Sequence, residues 1–109
     1  MPDVNSEGTQ TAVIGTEHTL GDLTANKHYA ADIDLGNMAS GDTVEIRLKK
    51  KVITGGTLRV KDKKIYYNAQ TDKNEVVFVP WETPGVQWRL TLKQTAGTGR
   101  AFDWKIYES

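Results

Sequence analysis

The sequence predicts an all-β protein: an antiparallel two-sheet sandwich, jelly-roll-like, with seven to eight strands. Apolar residues recur at every second position over several stretches, which is the period of a strand with one buried face. Turn-forming segments with glycine separate these stretches, and none of the stretches has the period of an amphipathic helix. Short strands joined by turns are typical of two packed antiparallel sheets.

Two regions of the chain differ in composition. Residues 1–10 are polar, with Val4 as the only large apolar side chain beyond Met1. Fixing a residue costs roughly 1–2 kcal/mol of backbone entropy, and this composition offers little burial in return. We therefore predict a flexible N-terminal arm over residues 1–10, ordered only by contact with another subunit. Residues 11–109 are predicted to form a single β-sandwich domain, because a chain of 109 residues has the size of one core.

The clearest alternation lies between residues 27 and 52. In residues 27–35, the acidic Asp32 and Asp34 occupy one face, and the predicted core face consists of Tyr29, Ala31, Ile33 and Leu35. In residues 43–52, the predicted core face consists of Val44, Ile46, Leu48 and Val52. Gly55 and Gly56 then allow the positive φ of a tight hairpin turn, so the next strand is predicted to return beside this one.

The second half of the chain predicts further strands. Residues 65–68 and 75–81 are short β-favouring runs, and Pro80 indicates that the second run is an edge strand or a strand end. Residues 87–94 alternate again and are joined by a glycine-bearing connection to a last strand. We predict that these two final strands form a hairpin with one shared core face: Trp88, Leu90, Leu92, Phe102, Trp104 and Ile106.

Charge is balanced overall but not along the chain. The 14 basic and 14 acidic side chains cancel, whereas nucleic-acid-binding domains carry a positive excess, so we predict no nucleic-acid partner. Residues 1–45 hold eight acids and one base, and residues 46–64 hold eight bases and one acid. Either these regions pair inside one domain, or the acidic patch of one copy meets the basic patch of the next. No signal-type leader and no apolar run of about 18 residues occur, so no membrane contact is predicted.

No residue pattern predicts catalysis or metal binding. The serines lie outside any Gly-x-Ser-x-Gly elbow, and His18 and His28 lack a second ligand at metal spacing. The segment Gly97-x-Gly99 joins two strands, whereas a phosphate-binding loop opens a helix. The oxygen ligands that could bind calcium lack the full loop pattern; they are Asp32, Asp34 and Asp42. We predict that the protein is not an enzyme and has no metal and no cofactor.

The predicted partner-binding residues lie mainly around the basic hairpin. Its cations either form a solvated, lysine-protected strand edge or dock onto an acidic protein surface. Trp81 is the tryptophan predicted to be exposed, because Trp88 and Trp104 share the parity of the core residues. The candidate interface residues are Val4, Arg47, Lys49, Lys51, Arg59, Lys61, Lys63, Lys64 and Trp81.

Several segments resemble small β proteins of tailed bacteriophages. The likeness spans about residues 27–107 and includes residues 33–35, 44–48 and 52–59. Its most specific part is Lys-Gln-Thr-Ala-Gly-Thr-Gly-Arg, residues 93–100, with the aromatic strand that follows.

This resemblance implies a virion protein. It implies a capsid decoration (cement) subunit that is made in the host cytoplasm and stabilises the head shell. Its expected partners are the major capsid protein or copies of itself, as a homo-oligomer on the assembly. A small tail or baseplate component is the alternative. From a different class, a carbohydrate-binding module would need Trp81 or Tyr67 exposed on a concave face.

Overall fold

The computed structural model describes residues 3–71 and 74–109 and confirms the all-β prediction. Eight strands follow one another along the chain: β1 (Asp3–Thr11), β2 (Glu17–Leu23), β3 (Tyr29–Asp34), β4 (Thr43–Lys51), β5 (Arg59–Tyr67), β6 (Val76–Glu82), β7 (Gln87–Ala96) and β8 (Ala101–Glu108). The described residues include no helix that could cross a membrane.

The strands form two antiparallel sheets of four. We call them the β6 sheet, with order β1-β8-β3-β6, and the β5 sheet, with order β2-β7-β4-β5. Strand β1 pairs with β8, β2 with β7, β3 with β6 and β4 with β5, so the chain resembles one long hairpin folded over into two layers. This is the strand order of an eight-stranded jelly roll.

The topology confirms one predicted hairpin and corrects the other. Strand β4 pairs with β5 as predicted, and Gly55 has φ 78° in the intervening turn. Strands β7 and β8 do not pair with each other, because β7 lies between β2 and β4 while β8 lies between β1 and β3. The segment between β7 and β8 therefore crosses from one sheet to the other.

The core lies between the two sheets and contains most of the predicted residues. All of the core positions predicted in residues 27–35 are fully buried, and so are Trp88, Leu90, Leu92, Phe102 and Ile106. Trp104 is only partly buried and packs against this core. The prediction for Val52 is wrong: β4 ends at Lys51, and Val52 lies in the following turn with 74% of its surface exposed.

Residues 3–10 are not the flexible arm that the sequence predicts. They form most of β1, whose pairing with β8 runs from Asp3 opposite Glu108 to Thr11 opposite Ala101. Backbone hydrogen bonds to β8 order this strand without apolar burial, and the Thr9 hydroxyl adds a bond to Asp103 at 2.6 Å. Gly8 lies over the ring of Trp104, where an added Cβ would be 3.3 Å from Cζ2. Residues 1 and 2 of the predicted arm lie outside the described residues.

Strands β5 and β6 are the edge strands on one side of the sandwich, and β1 and β2 are the edge strands on the other. The ion pair between Lys61 on β5 and Glu82 on β6, at 2.8 Å, shows how close the two edges come. Pro80 thus lies in an edge strand, as predicted.

Candidate functional site: the β5–β6 side

Ion pairs inside the chain account for much of the charge asymmetry of the sequence. On the outer face of the β5 sheet, Glu17 contacts Lys49 at 2.6 Å and Arg47 at 3.3 Å. Glu45 contacts Arg47 at 3.3 Å and Lys63 at 3.8 Å. The hydrogen bond from Lys49 holds the pKa of Glu17 below its ordinary value, against the opposing effect of burial. The first interpretation of the asymmetry, internal pairing, therefore applies to Arg47, Lys49 and Lys63.

A second cluster joins the two sheets. The carboxylate of Glu82 on β6 contacts Lys61 at 2.8 Å and Lys50 at 3.1 Å. These two cations, with Lys61 contributing most, hold the pKa of Glu82 below its ordinary value. Glu82 therefore remains ionised at neutral pH and links β6 to β4 and β5.

The remaining predicted interface residues are divided between different places. Among the described residues, no carboxylate lies within 4 Å of the amino or guanidinium groups of Lys51, Arg59 or Lys64. Trp81 lies on β6 and is 40% exposed, whereas Val4 lies on β1 at the opposite edge of the β6 sheet. The structure therefore brings together Lys61, Lys64 and Trp81 at the β5–β6 side and separates Val4 from them.

Exposed apolar side chains are concentrated on this same side. Of the large hydrophobic residues that are exposed, Val4, Val13 and Ile14 lie elsewhere. The others lie on β5, on β6 or in the turn between β4 and β5, and we call them the apolar side: Val52, Ile53, Val60, Ile65, Tyr67, Val76, Phe78 and Trp81. These side chains border one edge of the sandwich from its two outer faces: Ile65 and Tyr67 lie on the outer face of β5, and Val76 and Phe78 lie on the outer face of β6. Large exposed apolar side chains grouped at one edge are candidates for an interaction site.

A small groove opens between β5 and β6, with a volume of about 70 Å³. Its floor consists of apolar side chains from both sheets: Ile46, Leu48, Val77 and Val79. Lys61, Asp62, Lys64 and Tyr66 line its β5 wall, and Phe78, Pro80 and Glu82 line its β6 wall.

The residues of β5 explain why the sandwich does not close here. Asp62, Lys64 and Tyr66 pair in register with the buried Leu48, Ile46 and Val44, so they occupy the inner face of β5. Burying an unpaired charge is costly, so the charged side chains of Asp62 and Lys64 keep this edge hydrated. The floor of the groove consequently lacks the apolar cover that an alternating strand would supply.

Sequence reasoning missed Val76 and Phe78, which the structure places on the outer face of β6. Val76 lies opposite Asp34 on β3, and Phe78 lies opposite Asp32. Val76 is 61% exposed and Phe78 is 53% exposed. The available signal was the run Val76–Val79, which is apolar on both faces of one strand. A strand at the edge of a sheet with this pattern presents apolar surface that its own sheet does not cover.

The candidate calcium ligands do not converge. Asp32 accepts a hydrogen bond from the Tyr107 hydroxyl at 2.8 Å, and Asp34 accepts one from the Gly36 amide at 2.8 Å. Asp42 is buried and faces the segment between β7 and β8. Within the two described segments, no group of three or more His, Asp or Glu side chains is placed to hold a metal ion.

Residues 93–100, at the end of β7 and in the segment that follows it, form a compact network of hydrogen bonds. The buried Gln94 side chain donates to the Thr98 carbonyl at 2.7 Å and accepts from the Arg100 amide at 3.1 Å. The Asp42 carboxylate accepts from the Thr98 amide at 3.2 Å and from the Arg100 guanidinium at 2.9 Å. This segment therefore fixes the crossing between the sheets and has no phosphate-binding geometry at a helix.

Trp81 and Tyr67, the candidate sugar-stacking rings, do not form one platform. Glu82, next to Trp81, contacts Lys61, while Tyr67 is six residues further along β5. Six residues of strand span about 20 Å. The two rings thus lie towards opposite ends of the groove.

Comparison of the chain with protein-family models, with curated protein sequences and with solved structures finds no match. The site is therefore defined by its own geometry: the exposed apolar side chains along β5 and β6, and a groove with an apolar floor and two acids and two bases in its walls.

Proposed function

We propose that this protein is a non-enzymatic structural subunit of a tailed-phage virion, a decoration (cement) protein that binds the capsid shell through its β5–β6 side. The observation that supports the proposal is the concentration of exposed large apolar side chains along this edge of the sandwich, on the outer faces of β5 and β6. Together with the groove, these residues provide a surface that an assembled partner would remove from water.

The proposed partner is the major capsid protein, neighbouring copies of this chain, or both. Contacts spread over adjacent capsomers would stabilise a shell by mass action, because a subunit that binds only the assembled form favours that form. The resemblance of residues 93–100 to phage structural proteins supports the choice of a virion over other assemblies.

The test is binding to shells assembled without this chain. Purified protein is mixed with such shells, sedimented and quantified as copies per shell, with tails from the same phage as a parallel target. We expect saturable binding to shells. The double variant Val76→Ser with Phe78→Ser should reduce the apparent affinity at least tenfold, since two exposed apolar contacts are lost.

The matched control is Val13→Ser, which removes a side chain that is 60% exposed but lies between β1 and β2, away from the apolar side. This variant should bind like the wild type. Binding to tails and not to shells would overturn the decoration assignment in favour of a tail or baseplate component. Equal losses in both variants would contradict the assignment of the interface to the β5–β6 side.

A further inference from the structure

The free edge of β6 has main-chain groups that point away from its own sheet. The Leu35 amide donates to the Glu75 carbonyl at 2.6 Å, so the main-chain groups of these two residues face each other at the start of the β3–β6 ladder. Inward and outward main-chain groups alternate along an antiparallel strand. Val77 therefore bonds to β3, while the amides and carbonyls of Val76 and Phe78 point outward. Strand β6 is the last of its sheet, so no strand within the described residues pairs with these outward groups.

The edge of β6 is also the least charged of the four strand edges. Strand β5 carries five charged residues, and β1 and β2 carry two acids each. In β6, residues 76–81 have no charge, and Glu82 follows only at the end of the strand. Charges on an edge strand hinder the pairing of a further strand. This protection is absent from β6 up to Pro80, where the missing N–H ends any added ladder.

The surroundings of this edge favour an uncharged apolar strand. Two acids and two bases line the walls of the groove, so the groove attracts neither an acidic nor a basic segment. Lys61, one of these bases, already contacts Glu82 at 2.8 Å. On the outer face, the exposed side chains of Val76 and Phe78 offer apolar contact. A matching strand is short, uncharged and apolar on both faces, and residues 76–79 of a second copy have these properties.

Two copies of β6 match each other about a two-fold axis. In an antiparallel pair, residues whose main-chain groups face the other strand lie opposite each other. If Val77 lies opposite the partner's Val77, then Val76 lies opposite the partner's Phe78, and Phe78 lies opposite the partner's Val76. The two outward amides of each copy then donate to carbonyls of the other copy. Pro80 lies beyond these pairs, so it does not interrupt them.

We propose that two copies of this protein pair through β6 as antiparallel strands, with Val76 opposite Phe78 of the partner subunit. The β6 sheet then continues across the two-fold axis, and the interface is the same on both copies. Because the added ladder is short, the interface is small and the association in solution is weak. Many copies bound to one shell would strengthen it. This inference rests on the proposed function and names a second copy as the partner of the β6 edge.

The first test follows the wild-type protein at increasing concentration, without shells. Sedimentation velocity measures the fraction of dimer, and NMR measures amide hydrogen exchange in dilute and concentrated samples. We expect a monomer–dimer equilibrium. Where most chains are dimers, exchange at Val76 and Phe78 should slow roughly tenfold, because added hydrogen bonds protect these amides. Exchange in β1, at the opposite edge of the sheet, should not change.

Two results of this test would overturn the proposal. One is a chain that stays monomeric up to about 1 mM. The other is a dimer in which exchange at Val76 and Phe78 is as fast as in the monomer, because such a dimer would form through another surface.

The second test uses the proposed register. Val76 and Phe78 are exposed, so the fold should tolerate charged residues at both positions, and circular dichroism checks this. Val76→Lys with Phe78→Lys places like charges opposite each other across the axis. Val76→Lys with Phe78→Glu loses the same apolar side chains but places opposite charges there. At low salt the second variant should dimerise about tenfold more tightly than the first. Equal dissociation constants would overturn the proposed pairing.

The dimer and the virion function can fail separately. If the protein dimerises as described but binds neither shells nor tails, the virion function is wrong and the pairing through β6 stands. If the protein binds shells but stays monomeric in solution, with both amides unprotected, the pairing through β6 is wrong and the shell-binding function stands.

Discussion

The guanidinium Nε of Arg100 donates a hydrogen bond to the Asp42 carboxylate at 2.9 Å, and this carboxylate is only 1% exposed. A second arginine pair, Arg89 with Asp22, has the same 2.9 Å distance, but the acid is 38% exposed. The two pairs therefore differ mainly in the solvation of the carboxylate, which determines what each contributes to stability.

Arg100→Ala should lower the free energy of unfolding by about 3–5 kcal/mol, because it leaves a buried carboxylate without its cation. Arg89→Ala, the matched control, should cost at most about 1 kcal/mol, because water can solvate Asp22. Urea unfolding followed by circular dichroism measures both. Similar losses in the two variants would contradict the role assigned to burial.

Stability should fall in acid, with Asp42 as one of the causes. Burial alone raises the pKa of Asp42, but hydrogen bonds from the Ala39 amide, the Arg100 side chain and the Thr98 amide outweigh it and hold the pKa below its ordinary value of 3.8. A group whose pKa is lower in the folded state stabilises the fold above its unfolded pKa, and this contribution is lost as the pH falls through the folded value.

The check is to compare the wild type with Asp42→Asn from pH 6 down to pH 2. The variant should be less stable at pH 6 and should lose less stability on acidification, so the two unfolding curves converge below pH 3.8. Parallel curves over the whole range would show that Asp42 does not titrate as stated.

Gly97→Ala should destabilise the fold more than Gly55→Ala. Both glycines have positive φ, 92° and 78°, so alanine at either position costs about 1–2 kcal/mol of backbone strain. At Gly97 an added Cβ would also overlap the carboxylate of Asp42, whereas at Gly55 it would meet open space. Overpacking adds roughly 1–3 kcal/mol at the first site. Thermal unfolding measures the melting temperature of each variant. Equal decreases in the two variants would contradict this prediction.

Trp88→Ala should cost about 3–5 kcal/mol, as expected for loss of a fully buried indole. Trp88 also lies 5.4 Å from Tyr29, ring centre to ring centre, in a tilted arrangement that contributes to the core. Trp104→Ala should cost less, because Trp104 is only partly buried under Gly8. Chemical denaturation gives both values, and the reverse order would show that the core is centred elsewhere.

Alternation in the sequence identified most of the side chains that face the core, with Val52 as an exception, but not which strands are neighbours. Trp88 and Phe102 are both inward as predicted, yet β7 and β8 lie in different sheets. Alternation along a strand determines which of its side chains point into the core. It does not determine in which of the two sheets the strand lies, because both sheets face the same core. The hairpin prediction failed for this reason.

The composition of residues 1–10 was misleading because β1 is ordered by main-chain pairing, which depends little on side-chain type.

The groove was missed because it results from exceptions to the alternating pattern: Lys64 lies on the inner face of β5, and Val76 and Phe78 lie on the outer face of β6. The ion pairs of Glu17 with Lys49 and of Asp42 with Arg100 join positions that are distant in sequence. The charge asymmetry of the sequence therefore predicted ion pairs within the chain, but it could not predict which residues form them.

The position of β8 between β1 and β3 has a consequence for the order of events during synthesis. Strands β1 and β3 do not bond to each other; both pair with β8, which ends at Glu108, and β3 also pairs with β6. The β6 sheet therefore cannot be completed until nearly all of residues 3–108 have left the ribosome. Until then the core lacks Phe102 and Ile106 of β8. In such an incomplete sandwich many pairings between distant parts of the chain have still to form, and this is the state in which slow folding and aggregation should compete.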